Sequence, residues 1–317
     1  MKVLKKEILV SHKELINKRL DIAMSTLLKE LSRSKVQSLV KKGLITVNDK
    51  IVKTGYPLQP GDEIKIFGML PKDKPLNVDI DILFEDKDLI VINKPAGIIV
   101  HPSKSGAGSL SVAELLKAKI QPSVGEKGRE GVVHRLDKNT SGALILARTS
   151  LAYSSLVDQF FNRSIKKYYS CLVKGQLEPD EGVIDSPISR HKIHRKKMSL
   201  SLEKEGRRAI TKYKVKSEYE LSKDSFVSLV EVNILTGRTH QIRVHFQGLK
   251  HPVVGDETYG IRSFNDNFKK LFGLQRQFLH AEKVSFMHPR SQKPITVKAP
   301  LPEDLSGVVS KLKTFKT

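Results

Sequence analysis

Acidic side chains are scarce in this 317-residue chain: Asp and Glu total 34 against 56 Lys and Arg, a formal net charge of +22. The cationic excess is spread along the chain, which favours a polyanionic partner, nucleic acid before an anionic membrane. Cysteine is nearly absent. Cys171 stands alone, which excludes an intrachain disulfide and any thiolate-rich zinc site. Long apolar runs are missing too, since none approaches the ~18 residues that a membrane span needs. The opening MKVLKKEILVSHKE breaks its apolar residues with charges, so no signal-peptide core is read there. A soluble, cytoplasmic protein is expected. No nucleotide cofactor is expected either, because Gly106-Ala107-Gly108 lacks the remaining glycine of a dinucleotide fingerprint and precedes no phosphate-cradling Lys.

What is present begins with a helix over 18–32, carrying Leu20, Ala23, Leu27, Leu28 and Leu31 at helical spacing. Ser32 reads as the cap of a second short helix over 35–42, with Val36, Leu39 and Val40 on one face and Gly43 as its stop. Short strands follow at 44–47, 51–52 and 63–67, separated by Asn48-Asp49 and Pro60-Gly61-Asp62 turns. Residues 16–68 are therefore expected to form one small domain, and 69–77, containing Pro71-Lys72-Asp73-Lys74-Pro75, a linker. The second domain is expected over 78–303, with 304–317 as a C-terminal tail.

In that second domain, strands are expected at 80–84 and 89–93, then Lys94-Pro95-Ala96-Gly97 and a helix over 109–120. The central stretch is VVHRLDKNTSGALILAR, residues 132–148, read as strand, loop, strand. Its single carboxylate, Asp137, lies in sequence among Arg135, Lys138 and Arg148. Flanking cations favour the charged form, as a nucleophile or base requires at neutral pH. The alternative is that Asp137 merely caps a turn with Thr140 and Ser141. A helix over 150–163 is expected to bury Leu151, Leu156, Val157, Phe160 and Phe161. The following strand points Tyr169, Cys171 and Val173 inward and Tyr168 the other way.

Residues 186–202 contain no acidic side chain and read as a mobile basic loop suited to phosphates, with Arg190, Arg195 and Lys196 among its cations. After a strand over 225–235, Thr239 is expected to cap a helix that places Arg243 one turn beyond His240. A buried Arg needs a carboxylate, and Asp137 is the candidate. His240 and His245 are five apart, not the four that sets two ligands on one helix face. Both are read as satisfied hydrogen-bonding residues, and no metal is expected.

Two resemblances gather these pieces. Arg19-Leu20-Asp21, Ser32-Arg33-Ser34, Lys42-Gly43-Leu44-Ile45 and Val47-Asn48 resemble the S-four RNA-binding domain, which implies that the second helix docks on structured RNA through Arg33, Lys35 and Lys41. Further on come Lys94-Pro95-Ala96-Gly97 with His101-Pro102, His134-Arg135-Leu136-Asp137 with Thr140-Ser141-Gly142, and Lys167-Tyr168-Tyr169. Then follow Thr236-Gly237-Arg238-Thr239-His240-Gln241-Ile242-Arg243-Val244-His245, Gly255-Asp256 with Tyr259-Gly260, and Leu279-His280-Ala281 with Phe286 and His288-Pro289. In this order the blocks resemble RluA-type pseudouridine synthases. Asn139 is a small departure, where relatives often carry Asp or Glu.

The resemblance implies a mixed α/β (α+β) fold, with the S-four domain preceding a catalytic domain built on a central, mostly antiparallel sheet. It implies Asp137 as the essential carboxylate, Arg243 paired with it, and Tyr169 stacked on the uracil and a candidate for moving the carbon 5 proton. Arg135 would be the wedge, and Lys94, Arg190, Arg195 and Lys196 count among the RNA-binding candidates. No cofactor or metal is implied. The expected partner is RNA, ribosomal RNA of the large subunit before tRNA, engaged by a monomer. Two other functions compete. A catalytically silent ribosome-assembly factor would use the same basic surface, and a small-molecule hydrolase would use Asp137 but leave the charge and residues 16–68 unexplained.

Overall fold

The computed structural model describes residues 4–11, 14–28, 31–67, 79–101, 111–121, 123–126, 128–191, 193–194, 197–201 and 206–315. They fall into two compact units, one before residue 79 and one comprising 79–101 and 111–315. Pro71 to Pro75, Pro102 and Gly106 to Gly108 lie outside the described residues.

The first unit runs β1 (Leu4–Leu9), α1 (Leu20–Leu27), α2 (Arg33–Lys41), β2 (Ile45–Val47) and β3 (Glu63–Phe67). Its strands make an antiparallel sheet in the order β1-β3-β2. The Ser32 side chain accepts from Lys35 N, and Gly43, at φ +62°, adopts the left-handed conformation that ends α2. Leu20, Met24, Val36 and Val40 are buried with Ile45 and Ile64 in one core.

Three expectations change here. Helix α1 stops at Leu27. Ile51-Val52 is not a strand, because a Val47–Lys50 bridge closes a tight turn with Asn48 and Asp49 both left-handed, and the chain leaves with Ile51 exposed. Strand β1 was not expected. It pairs with β3 from Leu9 opposite Glu63 to Leu4 opposite Phe67, so this unit begins near residue 4 rather than 16.

The second unit contains β4 (Ile82–Glu85), β5 (Leu89–Lys94), α3 (Val112–Leu115), β6 (Ser141–Ala147), α4 (Ser150–Phe161), β7 (Lys166–Lys174) and β8 (Glu181–Asp185). It continues with β9 (Ile188–Arg190), β10 (Met198–Leu200), β11 (Ile210–Ser222), β12 (Ser225–Ile234) and α5 (Gln241–Gly248). It ends with α6 (Arg262–Phe272), β13 (Leu279–Met287), β14 (Pro294–Lys298) and α7 (Glu303–Thr314). The main sheet has the order β4-β5-β6-β13-β7-β12-β11-β8, with β14 on β13. Only β6 and β13 run parallel among these described strands. The apolar runs Leu89–Ile92 and Ala143–Ala147 are buried throughout, as central strands covered on both faces require.

Several local expectations are corrected. Val132 makes a single bridge to Leu146, so the central stretch is bridge, loop, strand. The helix expected over 109–120 is the short α3 followed by a 3-10 turn. Helix α4 buries Ala152 and Leu156 but leaves Leu151, Val157 and Phe161 exposed. The basic segment 186–202 contains a hairpin, β9 paired with β10, and is anchored by Met198 and Leu200 against Ile188, Val244 and Tyr259. Of the tail expected over 304–317, the described part up to Thr314 belongs to a packed helix. Leu305, Val308 and Leu312 of α7, at helical spacing, pack with Phe268 and Phe272 of α6. Among the described residues, no helix is long and apolar enough to cross a membrane.

Candidate active site

The loop between the Val132 bridge and β6 is pinned at each polar step. His134 Nε2 accepts from Ile145 N at 2.9 Å, and its ring stacks on Phe160 at 4.7 Å. Burial, and then the Lys167 charge, push this imidazole down to about 3, so it stays neutral and able to accept that N–H. Leu136 is buried, while Arg135 on its N-terminal side is exposed. Thr140 N donates to Asp137 O at 3.1 Å and closes the turn. Gly142 leaves it at φ +115°, where an added Cβ would collide with the Ala281 backbone of the neighbouring parallel strand.

Two buried cations brace this loop. Lys94 Nζ donates to the carbonyls of Pro95 at 2.8 Å, Ile98 at 2.9 Å and Lys138 at 3.2 Å. Burial, then the Arg276 charge, push Lys94 down to about 7, against the pull of Asp137. The three carbonyls match the three donors of an ammonium, and a neutral amine would leave one unserved. Lys94 is fully buried, which removes it from the RNA-binding candidates: it shapes the loop and presents no charge to a phosphate. Arg276 NH1 donates to Asn139 O at 3.1 Å and its NH2 to Ser141 Oγ at 3.1 Å, while Asp304 of α7 pairs with the same guanidinium at 2.6 Å.

Asp137 meets its partner from helix α5. Arg243 NH1 donates to Asp137 Oδ2 at 3.0 Å. The same guanidinium makes a bidentate pair with Asp256, Nε to Oδ2 at 2.6 Å and NH2 to Oδ1 at 2.9 Å, and lies 5.0 Å from the Tyr259 ring centre. Burial works against the Arg243 charge, and the Asp256 bond and charge outweigh it, so its pKa is raised. Asp256 also accepts from Thr258 N and Tyr259 N. Arg148, near in sequence, instead pairs with Glu85.

The helix that carries Arg243 starts differently from expectation. His240, not Thr239, precedes it, in left-handed conformation at φ 58° and without a side-chain cap. Gln241 compensates by accepting from Arg238 N and Thr236 Oγ1 and donating to Ile210 O and Thr211 Oγ1. His240 Nδ1 lies 2.8 Å from the Tyr259 hydroxyl, which also accepts from Met198 N, so this contact joins the basic hairpin to the start of α5. His245 Nε2 reaches Ser186 O at 3.0 Å, whereas its buried Nδ1 has no partner among the described residues.

Tyr169 of β7 is 5% exposed and lines the same cavity of about 490 Å³ as Asp137 and Arg243. Burial, and then the negative Asp137, push its hydroxyl up, so it keeps its proton at neutral pH. Asp137 is the sole carboxylate among the described residues that line the cavity, and Arg135, Arg163, Lys167 and Arg238 supply cations around it. The side chains of Arg243 and Asp137 are 7% and 17% exposed, which leaves the carboxylate within reach of a ligand. No described side chain or backbone N–H donates to Asp137 Oδ1.

The remaining candidates are dispersed. Lys35 and Lys41 are exposed on α2, and Arg33 is half exposed while pairing with buried Asp21 at 3.0 Å. Arg190 is exposed at the end of β9, and Arg195 and Lys196 lie outside the described residues. Among the described residues, Asp86, Asp88 and His288 form the one group with metal-ligand potential. Arg290 already takes both Asp88 oxygens at 2.6 and 2.7 Å, and His288 takes Asp86 at 2.6 Å, which closes that cluster to a cation. Asp256, Tyr259, Arg276, Lys167 and Arg238 had no role assigned from sequence. Asp256 and Tyr259 were visible only as members of the Gly255-to-Gly260 block.

A family model described as RNA pseudouridylate synthase matches residues 88–248, and an S4 domain model matches 18–64. The chain is 39% identical over 299 residues to an uncharacterized RNA pseudouridine synthase of Aquifex aeolicus (strain VF5), covering 92% of this chain and 93% of that one. It is 37% identical over 309 residues to the ribosomal large subunit pseudouridine synthase D of Xanthomonas campestris pv. campestris, covering 93% and 89%. Among solved structures, human RNA pseudouridylate synthase domain containing 4 aligns with a TM-score of 0.57 and 28% identity over 74% of this chain and 93% of that one.

Proposed function

Because the chain belongs to the RNA pseudouridine synthase family, an isomerase family acting on RNA, we propose that it converts specific uridines of large-subunit ribosomal RNA with Asp137 as the essential carboxylate. The observation that carries this reading is one carboxylate held by Arg243 through Oδ2, with Oδ1 without a described donor, in a cavity whose other described charged lining residues are cations. A uridine must leave its stack to reach that carboxylate, and Arg135, exposed on the loop, is the side chain to fill the gap.

In the reaction the bond from the sugar to N1 breaks, the uracil rotates, and a bond to carbon 5 forms. Carbon 5 then gives up a proton and N1 ends protonated, so no oxidant or co-reactant enters. Arg243 holds the carboxylate in place throughout. Tyr169 offers a ring face to the uracil. Its retained proton makes the phenol a poor acceptor for the carbon 5 proton, which favours Asp137 for that transfer.

The test is a pseudouridine map of large-subunit ribosomal RNA from cells with and without the protein, paired with turnover on a short stem-loop whose folding needs no divalent cation. Specific sites should vanish without the protein. Turnover on the stem-loop should persist in EDTA. Sites lost only from tRNA would overturn the ribosomal assignment, and EDTA inhibition reversed by zinc or magnesium would overturn the metal-free mechanism.

RNA affinity should arise from many phosphate contacts and so fall steeply as salt rises, log K declining linearly with log salt. Lys35→Ala and Lys41→Ala should each lower the steepness of that line by about one contact and weaken binding alike for all sequences. Filter binding across a salt series measures this, and unchanged slopes in both variants would remove α2 from the interface.

A further inference from the structure

Phe161 ends α4 with 84% of its surface in water, the most exposed large apolar side chain among the described residues. It contributes nothing to the core, which α4 reaches through Ala152 and Leu156. Its neighbour Phe160 is engaged, stacked on His134 and 5.5 Å from Lys167 Nζ. Phe161 has no ring or cation partner among the described residues, yet it lines the same cavity as Asp137. Arg163 and Lys167 line that wall beside it, and neither makes a salt bridge among the described residues. Burial pushes Lys167 down to about 8, consistent with a charge that lacks a carboxylate to hold it.

We propose that Phe161 is a stacking platform for the RNA base adjacent to the flipped uridine, with Arg163 and Lys167 drawing in the phosphates on either side. This rests on the function proposed above. A strand that delivers a uridine to Asp137 must run across the cavity rim. Where the next base follows the uridine onto that rim, it leaves the helical stack and loses its neighbours. An exposed phenyl ring restores that contact without reading the base, since every base has a π face. The surrounding cations select a polyanion over an apolar protein segment as the occupant. Arg135 stands apart from this role, because it fills the place that the uridine vacates.

The test uses the full-length protein and a ribosomal stem-loop that the wild type converts, with 2-aminopurine or an abasic nucleotide placed in turn on each side of the target. Phe161→Ala should raise KM by on the order of tenfold, with the loss falling on KM rather than on kcat. Phe161→Leu should behave like Ala, and Phe161→Trp like the wild type. At one flank, wild-type protein should quench 2-aminopurine and Phe161→Ala should not. An abasic nucleotide there should raise KM for the wild type and add nothing to the Phe161→Ala defect. Wild-type KM in both Phe161→Ala and Phe161→Leu would overturn the platform while leaving the enzyme reading intact, as would equal abasic penalties in wild type and Phe161→Ala at both flanks. A wild type that forms no pseudouridine in any RNA would overturn the function itself and the platform with it.

Discussion

Asp137→Asn protein is expected to bind RNA like the parent and to form pseudouridine more slowly by on the order of 10⁴-fold or beyond. The substitution keeps the shape and leaves an amide oxygen for Arg243 NH1, now 3.0 Å from Asp137 Oδ2. It removes the charge and the reactive oxygen pair. Folding should survive, because Arg243 retains its bidentate partner Asp256. Affinity should survive because it comes from many dispersed cations, each a modest share. A thermal melt, RNA binding and single-turnover pseudouridine formation on one preparation separate these effects. A folded Asp137→Asn enzyme working at near the parental rate would sink the assignment of Asp137. A wild type without activity in the same assay would instead indicate a silent RNA-binding factor.

Arg243→Met should lose activity and also about 3–5 kcal/mol of stability, because it strands a buried carboxylate without its cation. That carboxylate is Asp256, fully buried and held at 2.6 and 2.9 Å. Changing both members, Arg243→Met with Asp256→Asn, should restore more than half of the lost stability. The Asn oxygen can still accept from Thr258 N and Tyr259 N, whose bonds to Asp256 are 2.8 and 3.0 Å. Activity should stay absent in the double variant, since Asp137 still lacks its donor. Denaturant melts and single-turnover assays decide the matter. Recovery of both stability and turnover would show that Arg243 serves the fold alone, and a single variant as stable as the parent would contradict the buried pair.

Local chemistry made parts of this molecule readable before its fold was known. Ser32 and Gly43 bound α2 through contacts made within a few residues, so their meaning did not depend on the tertiary structure. The period of two in β7 likewise placed Tyr169 on the buried side. The errors came where distant groups decide. Lys94 before a proline reads as an exposed cation, and its burial needs the fold of the following turn, whose Pro95 and Ile98 carbonyls it binds, together with the carbonyl of Lys138, forty-four positions on. Asp137 was matched to Arg243, but the tighter partner Asp256 sits in a loop that no periodicity marks. Phe161 shares the apolar spacing of a helix whose true inward face is Ala152 and Leu156, and composition could not tell the two faces apart. Helix α7 carries a readable apolar stripe that was passed over as a tail.

The bracing of the Asp137 loop by Arg276, itself paired with Asp304 of α7, bears on how the protein is made. Synthesis proceeds from the N-terminus, and domains generally fold as units once enough chain has emerged. The loop at 134–140 therefore leaves the ribosome well before β13 and α7, whose residues complete its surroundings. Contacts spanning well over a hundred positions, such as Arg276 to Asn139 and His280 to Ser141, close late and at an entropic cost. A nascent chain can thus carry Asp137, Tyr169 and Arg243 before the residues that brace the 134–140 loop exist, so the loop gains its full set of supports only once α7 has been translated.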